Sequence, residues 1–412
     1  MRGSAGAGPA SPGGLNHAGR ALRGPRVAAT PPSAYIGAMS ERAAFAEYEQ
    51  LLGLLDAGSH VLDARAVCET SVRGHRFSVY AATVGATAPD APAIGIFGGI
   101  HGLERIGTQL VLDYLRSLLW RLEWDELLHE ELQSVRLVFM PIVNPGGMWA
   151  ATRANPNGVD LMRNAPQDAD AHVPFLAGGQ RIGAWLPWFR GSAGHPMEAE
   201  SQALLSVVQS ELLSRPLSFA VDCHSGYGWR DSIWFPYART HSPMAHLPEM
   251  YLLKTMFEQA HPHHGYAFEP QSHQYLLHGD LWDYAYDLAP PQNLFLPMTL
   301  ELGSWLWIKK NPRQLFSRDG IFNPIKAHRT ARVLRRHVSL FDFLGRIAFA
   351  PQRWLPTGER RAQLQEQRAP TGSSAPNHDG LGIPARADTR KPALGHAAPA
   401  LAGGRIGYTA DD

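Results

Sequence analysis

Apolar positions along the chain fall into two kinds of stretch, and their alternation predicts the architecture. Short continuous runs, bounded by glycine, proline or polar residues, occupy 93–97, 134–140, 217–221 and 294–302, with a further run at 76–84. Runs of this length with no polar alternation predict strands covered on both faces, as in the middle of a parallel sheet. Other stretches repeat at helical spacing. Between 107 and 120, Leu110, Val111, Tyr114, Leu115 and Leu118 fall on one face of a helix. Helices are also predicted over 40–52, with Ser40 as N-cap, over 197–213 and over 246–259, with a short helix or turn at 279–286. A long helix over 325–344, basic along one side, closes the pattern. Segment 141–147 is rich in proline and glycine and is expected to be a loop.

Strands alternating with helices predict an α/β fold, a mixed and largely parallel twisted sheet with helices on both faces. The ends of the chain break the pattern. Residues 1–38 carry frequent glycine and proline and almost no aromatic residue, and beyond 346 the composition returns to Pro, Ala, Gly, Arg and Gln. Such segments bury too little apolar surface to offset the entropy of ordering. Three parts are expected: a disordered extension at 1–38, a catalytic domain at 39–348 and a disordered tail at 349–412.

Charge and cysteine content narrow the partners. Lys plus Arg number 38 and Asp plus Glu 37, so no net field favours nucleic acid or an anionic membrane. No stretch of about 18 apolar residues is present to span a bilayer. Cys68 and Cys223 are the only cysteines, too few for a disulfide framework. With no secretory signal recognised, the cytoplasm is the expected location. The oligomeric state is not legible.

Chemistry concentrates at strand ends. The run 93–97 passes through Gly98 and Gly99 into Ile100-His101-Gly102-Leu103-Glu104, and the run 217–221 leads into Asp222-Cys223-His224. Open α/β sheets place their sites at the carboxyl ends of strands. His101, Glu104 and His224 supply two imidazoles and a carboxylate, the donor set of a catalytic zinc site with a fourth position for water. Iron or manganese would accept the same donors. Taken singly, each fragment has a plainer reading: a chance His-x-x-Glu, or a core histidine in a satisfied hydrogen bond. The histidines of 261–264 read as surface loop residues rather than a second metal site.

The order of further motifs gives these fragments their weight. His101-Gly102-Leu103-Glu104, Asn144-Pro145-Gly146-Gly147, Arg153, Gly158-Val159-Asp160-Leu161-Met162-Arg163-Asn164, His224-Ser225 and Thr299-Leu300-Glu301-Leu302 resemble, in order and spacing, the zinc carboxypeptidase family of carboxypeptidase A-like metallopeptidases. The resemblance covers about 93–303. It implies one Zn²⁺ per chain held by His101, Glu104 and His224, with Asp160 orienting the first histidine. It implies Glu301 as general base, Arg153 polarising the scissile carbonyl and Arg163 gripping a terminal carboxylate. Tyr275 resembles the substrate-capping tyrosine, and Trp282 would then stand near the specificity pocket, disfavouring a basic side-chain preference. Glu301 and Arg163 also have structural readings, as members of ion pairs, Arg163 with Asp160.

The implied reaction is hydrolysis of a C-terminal peptide or amide bond by zinc-activated water. The expected partner is a peptide or small amide, not nucleic acid or membrane. One departure bears on the substrate: Met162 stands where the family usually has asparagine beside the carboxylate-binding arginine, and a thioether donates no hydrogen bond. Alternatives are a zinc-dependent deacylase of N-acyl amino acids, like aspartoacylase and succinylglutamate desuccinylase, a cell-wall peptide amidase, or a binding module without turnover.

Overall fold

The structure is a computed structural model, and it describes residues 45–368. The Ser40 cap, the 1–38 extension and residues 369–412 lie outside the described residues. In chain order the elements are α1 (Ala46–Ala57), β1 (Asp63–Val72), β2 (His75–Gly85), β3 (Ala93–Gly98), α2 (Arg105–Arg121), α3 (Glu126–Ser134), β4 (Arg136–Met140), α4 (Pro145–Trp149), α5 (Ala199–Val208) and β5 (Leu217–Ser225). They continue as β6 (Ser232–Phe235), α6 (Leu247–Ala260), β7 (Ala267–Pro270), α7 (Leu281–Asp287), β8 (Leu294–Leu302), α8 (Trp305–Lys310), α9 (Arg318–Phe322), α10 (Ala327–Phe349) and α11 (Gly358–Arg368).

The strands form one eight-stranded sheet in the order β1-β2-β4-β3-β5-β8-β6-β7. Its centre is parallel, through the pairs β4–β3, β3–β5 and β5–β8, while β2 and β6 join it antiparallel. Every residue of β3 and β5 is buried, as continuous apolar runs in a covered parallel sheet require. The two faces meet different helices. A side chain at Gly95 would press on Leu212, in the π turn that extends α5, whereas one at Gly98 would press on Val111 of α2. Positions three apart in a strand point to opposite faces, so β3 is covered on both sides.

Several elements were not predicted from the sequence, among them β1, α3, β6, β7, α8 and α9, and one predicted loop was too long. β6 and β7 have four residues each, too few to show a period, and β1 is an edge strand whose side chains are mostly exposed or half-buried. α3 is short and buries only Leu128 and Leu132. The expected 141–147 loop contains the start of α4, where Asn144 caps by accepting from the Gly147 N–H at 2.8 Å.

The expected unstructured tail also departs from its described portion. α10 runs to Phe349, Trp354 is buried with its indole donating to the Ile347 carbonyl at 2.9 Å, and Arg361 of α11 pairs with Glu249 of α6 at 2.6 Å. Trp354, Leu355 and the Arg361–Glu249 pair help to dock this segment, a signal that average composition conceals. No helix among the described residues is long and apolar enough to cross a membrane.

Candidate metal centre

The parallel register brings the chemistry together before any side chain is considered. His224 and Glu301 are Cα partners on β5 and β8, and Gly98 at the end of β3 partners Cys223. Gly99 takes a positive φ of 67° to turn the chain from the strand into His101, a conformation that favours glycine. Gly107 allows α2 to lie against the end of β5, since a Cβ there would come within 2.2 Å of the Cys223 carbonyl oxygen. That approach sets the turn from His101 to Glu104 beside His224. The Asn144 amide donates to the Ile100 carbonyl at 3.2 Å and ties the turn to the end of β4.

His101, Glu104 and His224 are all buried, and their ligand atoms lie within 4.8 Å of one another, the only such group found among the described residues. Both Nδ1 atoms turn towards Glu104: His101 lies 3.0 Å from Oε1 and His224 3.0 Å from Oε2. Both Nε2 atoms turn away, His101 to Asp160 Oδ1 at 3.0 Å and His224 to Asp222 Oδ2 at 2.5 Å. A metal-binding imidazole commonly donates its other nitrogen to a carboxylate, which fixes its tautomer and orientation. The arrangement therefore fits a zinc ion, with two nitrogens, one carboxylate and an open side.

The electrostatics point the same way. Burial works to raise the pKa of Glu104, but the two imidazoles override it and hold the carboxyl well below the usual range. Burial works to neutralise His224, but Asp222 and Glu104 override it and raise its pKa well above the ordinary value. Carboxylates that stabilise an extra positive charge at this point are suited to a bound cation.

Around this cluster lies a cavity of about 290 Å³, lined among others by Arg153, Met162, Arg163, Tyr275, Asp280 and Glu301. Arg153 donates to Glu104 Oε1 at 2.9 Å and to Asp160 Oδ2 at 3.1 Å. Arg163 donates to the same Asp160 oxygen at 3.1 Å and to the Ala177 carbonyl at 3.1 Å, leaving Nη2 at 3.5 Å from the Tyr275 hydroxyl. Burial would raise the Asp160 pKa, but Arg153, Arg163 and His101 together hold it well below the usual range. Glu301 is also buried and accepts from the Tyr227 N–H at 2.9 Å. Burial, then the neighbouring Glu104 charge, push its pKa up to about 8 against the pull of His224, that N–H and Arg153.

The structure thus brings together His101, Glu104, His224, Asp160, Arg153, Arg163, Tyr275 and Glu301. Trp282 is the correction: it does not line the cavity. Its side chain is buried against Phe97, with ring centroids 5.1 Å apart, and its indole N–H donates to Asp222 Oδ2 at 2.9 Å. The first turn of α7 rotates it away, and Asp280, two residues earlier, faces the cavity instead while its Oδ1 caps the helix. Burial holds the Asp280 pKa up at about 6 against the helix N–H groups and Arg163.

Two residues of the site escaped the sequence reading: Asp222, which holds His224 Nε2, and Tyr227, whose backbone N–H donates to Glu301. Asp222 had a usable signal. Residues i and i+2 of a strand share a face, so an aspartate two positions before a ligand histidine is placed to orient it.

Comparison with known proteins gives a consistent result. A family model described as zinc carboxypeptidase matches residues 66–304. Carboxypeptidase SOL1 of Arabidopsis thaliana is 34% identical over 84 residues, 20% of this chain and 16% of that protein. Carboxypeptidase E of Caenorhabditis elegans is 31% identical over 111 residues, 23% of this chain and 24% of that one. The matched stretches are thus a small part of each relative. Among solved structures, thrombin activatable fibrinolysis inhibitor superposes with a TM-score of 0.55 at 18% identity, covering 74% of this chain and 72% of that one. Carboxypeptidase A from Helicoverpa armigera gives 0.53 at 16% identity, covering 73% and 71%. At these identities the superpositions show a common fold.

Proposed function

The chain belongs to the zinc carboxypeptidase family, and from that membership we propose that it is a zinc-dependent metallocarboxypeptidase, hydrolysing the C-terminal peptide or amide bond of its substrate. The observation that carries this reading is the register of β5 and β8, which sets the Glu301 carboxyl beside the three metal-binding side chains in one cavity. A zinc ion held by His101, Glu104 and His224 supplies Lewis acidity, lowering the pKa of a water towards 7 and polarising a carbonyl.

The chain's own residues supply the rest. Glu301 takes the proton from the attacking water and passes it to the departing amine nitrogen, so that the carbon–nitrogen bond breaks to a carboxylate and a free amine. Arg153, fixed by Glu104 and Asp160, directs positive charge at the oxygen that becomes negative. Donors of this kind contribute about 3 to 4 kcal/mol. Arg163, with Tyr275 beside its free nitrogen, receives the substrate's terminal carboxylate.

One observation favours a second reading. Met162 lines the cavity next to an Arg163 already engaged by Asp160, so grip on an ordinary α-carboxylate is weak, and a cell-wall peptide amide or an N-acyl amino acid becomes the alternative substrate. A panel of peptides, D-residue and γ-linked peptides and N-acyl amino acids, with products identified by mass spectrometry, separates the readings. Release of a free C-terminal residue from ordinary peptides alone supports the first. Cleavage confined to N-acyl amino acids or cell-wall peptides contradicts it.

A further inference from the structure

The loops that leave the metal centre run directly into a second, strongly cationic depression. Between Leu302 and Phe341 the chain carries nine lysines and arginines against one acid, Asp319, although the whole protein is nearly neutral at +1. Folding gathers part of this excess around a groove of about 370 Å³, where Arg230, Lys310, Arg329, Arg332 and Arg336 surround a floor that includes Trp307. Among the described residues, one of these cations is paired with an acid: Arg336 lies 3.2 Å from Asp231. Arg329 donates to neutral acceptors, the Trp307 carbonyl and the Gln314 amide oxygen. Arg230, Lys310 and Arg332 are exposed and form no ion pair among the described residues. Like charges held this close repel one another, and clefts lined by one sign of charge concentrate ligands of the other.

The groove lies close to the catalytic cavity along the chain. Gly303, in its wall, is two residues beyond Glu301, at most about 7 Å along the chain. Trp229 and Arg230 follow His224 on the neighbouring strand. A run of aromatic rings joins the two spaces: Tyr275 to Tyr227 at 6.2 Å, Tyr227 to Trp305 at 5.2 Å and Trp305 to Trp229 at 5.7 Å between centroids.

We propose that the groove binds an acidic segment of the substrate, glutamate or aspartate residues upstream of the scissile bond, and that this chain prefers peptides with acidic tails. The proposal rests on the peptidase reading above and adds the substrate class. Arginine is suited to the role, since its planar fork pairs with a carboxylate through two hydrogen bonds. Occupancy by acids relieves the mutual repulsion of the cations.

The test uses two peptides of equal length and the same C-terminal residue, one with four consecutive Glu upstream and one with four Gln. Binding is read by fluorescence anisotropy on zinc-loaded Glu301→Gln protein, and kcat/KM on the wild type. The Glu peptide binds and is cleaved at least about ten-fold better at low salt, and the advantage shrinks as salt rises. Arg332→Glu combined with Lys310→Glu, both exposed, removes that advantage and leaves cleavage of the Gln peptide unchanged. Equal handling of the two peptides, or a preference that survives the charge reversals, overturns the proposal. Displacement by inorganic phosphate without discrimination between the peptides also overturns it, in favour of a small-anion site. Discriminating binding with no cleavage of either peptide by the wild type supports the groove and instead overturns the peptidase reading.

Discussion

The cavity has two walls that are held in opposite ways. On the metal side, each imidazole has both nitrogens committed: Nδ1 to Glu104 and Nε2 to a buried aspartate, Asp160 or Asp222. Those aspartates are themselves held, one by two arginines and the other by the Trp282 indole. On the gripping side, Arg163 has spent two of its nitrogens on Asp160 and the Ala177 carbonyl, and its neighbour Met162 offers a thioether. A guanidinium already paired with a buried acid gains less from a second carboxylate than a free one does. On the proposed reading the metal position is fixed before substrate arrives, whereas the grip on substrate is largely made by what the substrate brings. This contrast explains why family membership predicts the chemistry better than the specificity.

Breaking the metal wall has the largest expected effect. His224→Ala leaves two donors, so metal content falls below stoichiometry and hydrolysis drops about a thousand-fold or more. Metal analysis alongside assay checks it, and full activity in metal-free protein would show that the wall does something else. A second test separates the acid sensitivity of the fold from that of the metal. His337 is buried, with Nδ1 at 2.7 Å from the Tyr266 hydroxyl and Nε2 3.7 Å from Asp231. Burial lowers its pKa from 6.5 to about 4, with Arg336 and His264 adding to the effect and Asp231 opposing it.

Between those values the unfolded chain binds the extra proton, so this stabilisation is complete above about pH 6.5 and is lost as pH falls towards 4, by about 3 kcal/mol. Urea unfolding of chelator-treated protein at the two ends of that window measures it. His337→Phe is expected to flatten the slope, and an unchanged slope would assign acid sensitivity to the metal wall.

The smaller effects probe how each wall is supported. Asp222→Asn leaves the ligands in place but weakens the orientation of His224, and zinc affinity is expected to fall by about 10- to 100-fold. Competition with a chromogenic chelator reads this, and an unchanged affinity would mean that the Nε2 contact is incidental. Met162→Asn adds a donor to the gripping wall. It is expected to lower KM for a peptide with a free carboxylate several-fold, about 1 kcal/mol, with kcat unchanged. No change, or an equal gain on the C-terminally amidated peptide, would place the carboxylate elsewhere.

The same contrast governs what the sequence made legible. The metal side was readable because its residues recur at fixed local spacings at strand ends: His101 with Glu104, Asp160 before Arg163, and His224 after a buried run. The central strands were readable for the same reason, since continuous burial leaves continuous apolar runs. The gripping side was readable only in part: Arg163, Met162 and Tyr275 were named and line the cavity, but the residue that α7 presents depends on the rotation of that helix about its axis. Tyr275 lines the cavity, but the turn that begins at Asp280 sends Trp282 against the ends of the central strands β3 and β5, to Phe97 and Asp222, and leaves an acid facing the cavity. Sequence spacing through a loop does not determine that rotation. β6 and β7 were missed because four residues carry no period, and the docking of residues 350–368 because it rests on a few residues, chiefly Trp354, Leu355 and Arg361, in a segment of otherwise polar composition.

The central claim is that Glu301 is the proton carrier of a metal site it does not help to form. The direct measurement is Glu301→Gln protein, titrated with zinc and assayed on a peptide the wild type cleaves. One zinc bound per chain with wild-type affinity is expected, with hydrolysis reduced by about a thousand-fold or more. Glu301→Gln protein that binds zinc and cleaves at the wild-type rate would contradict it.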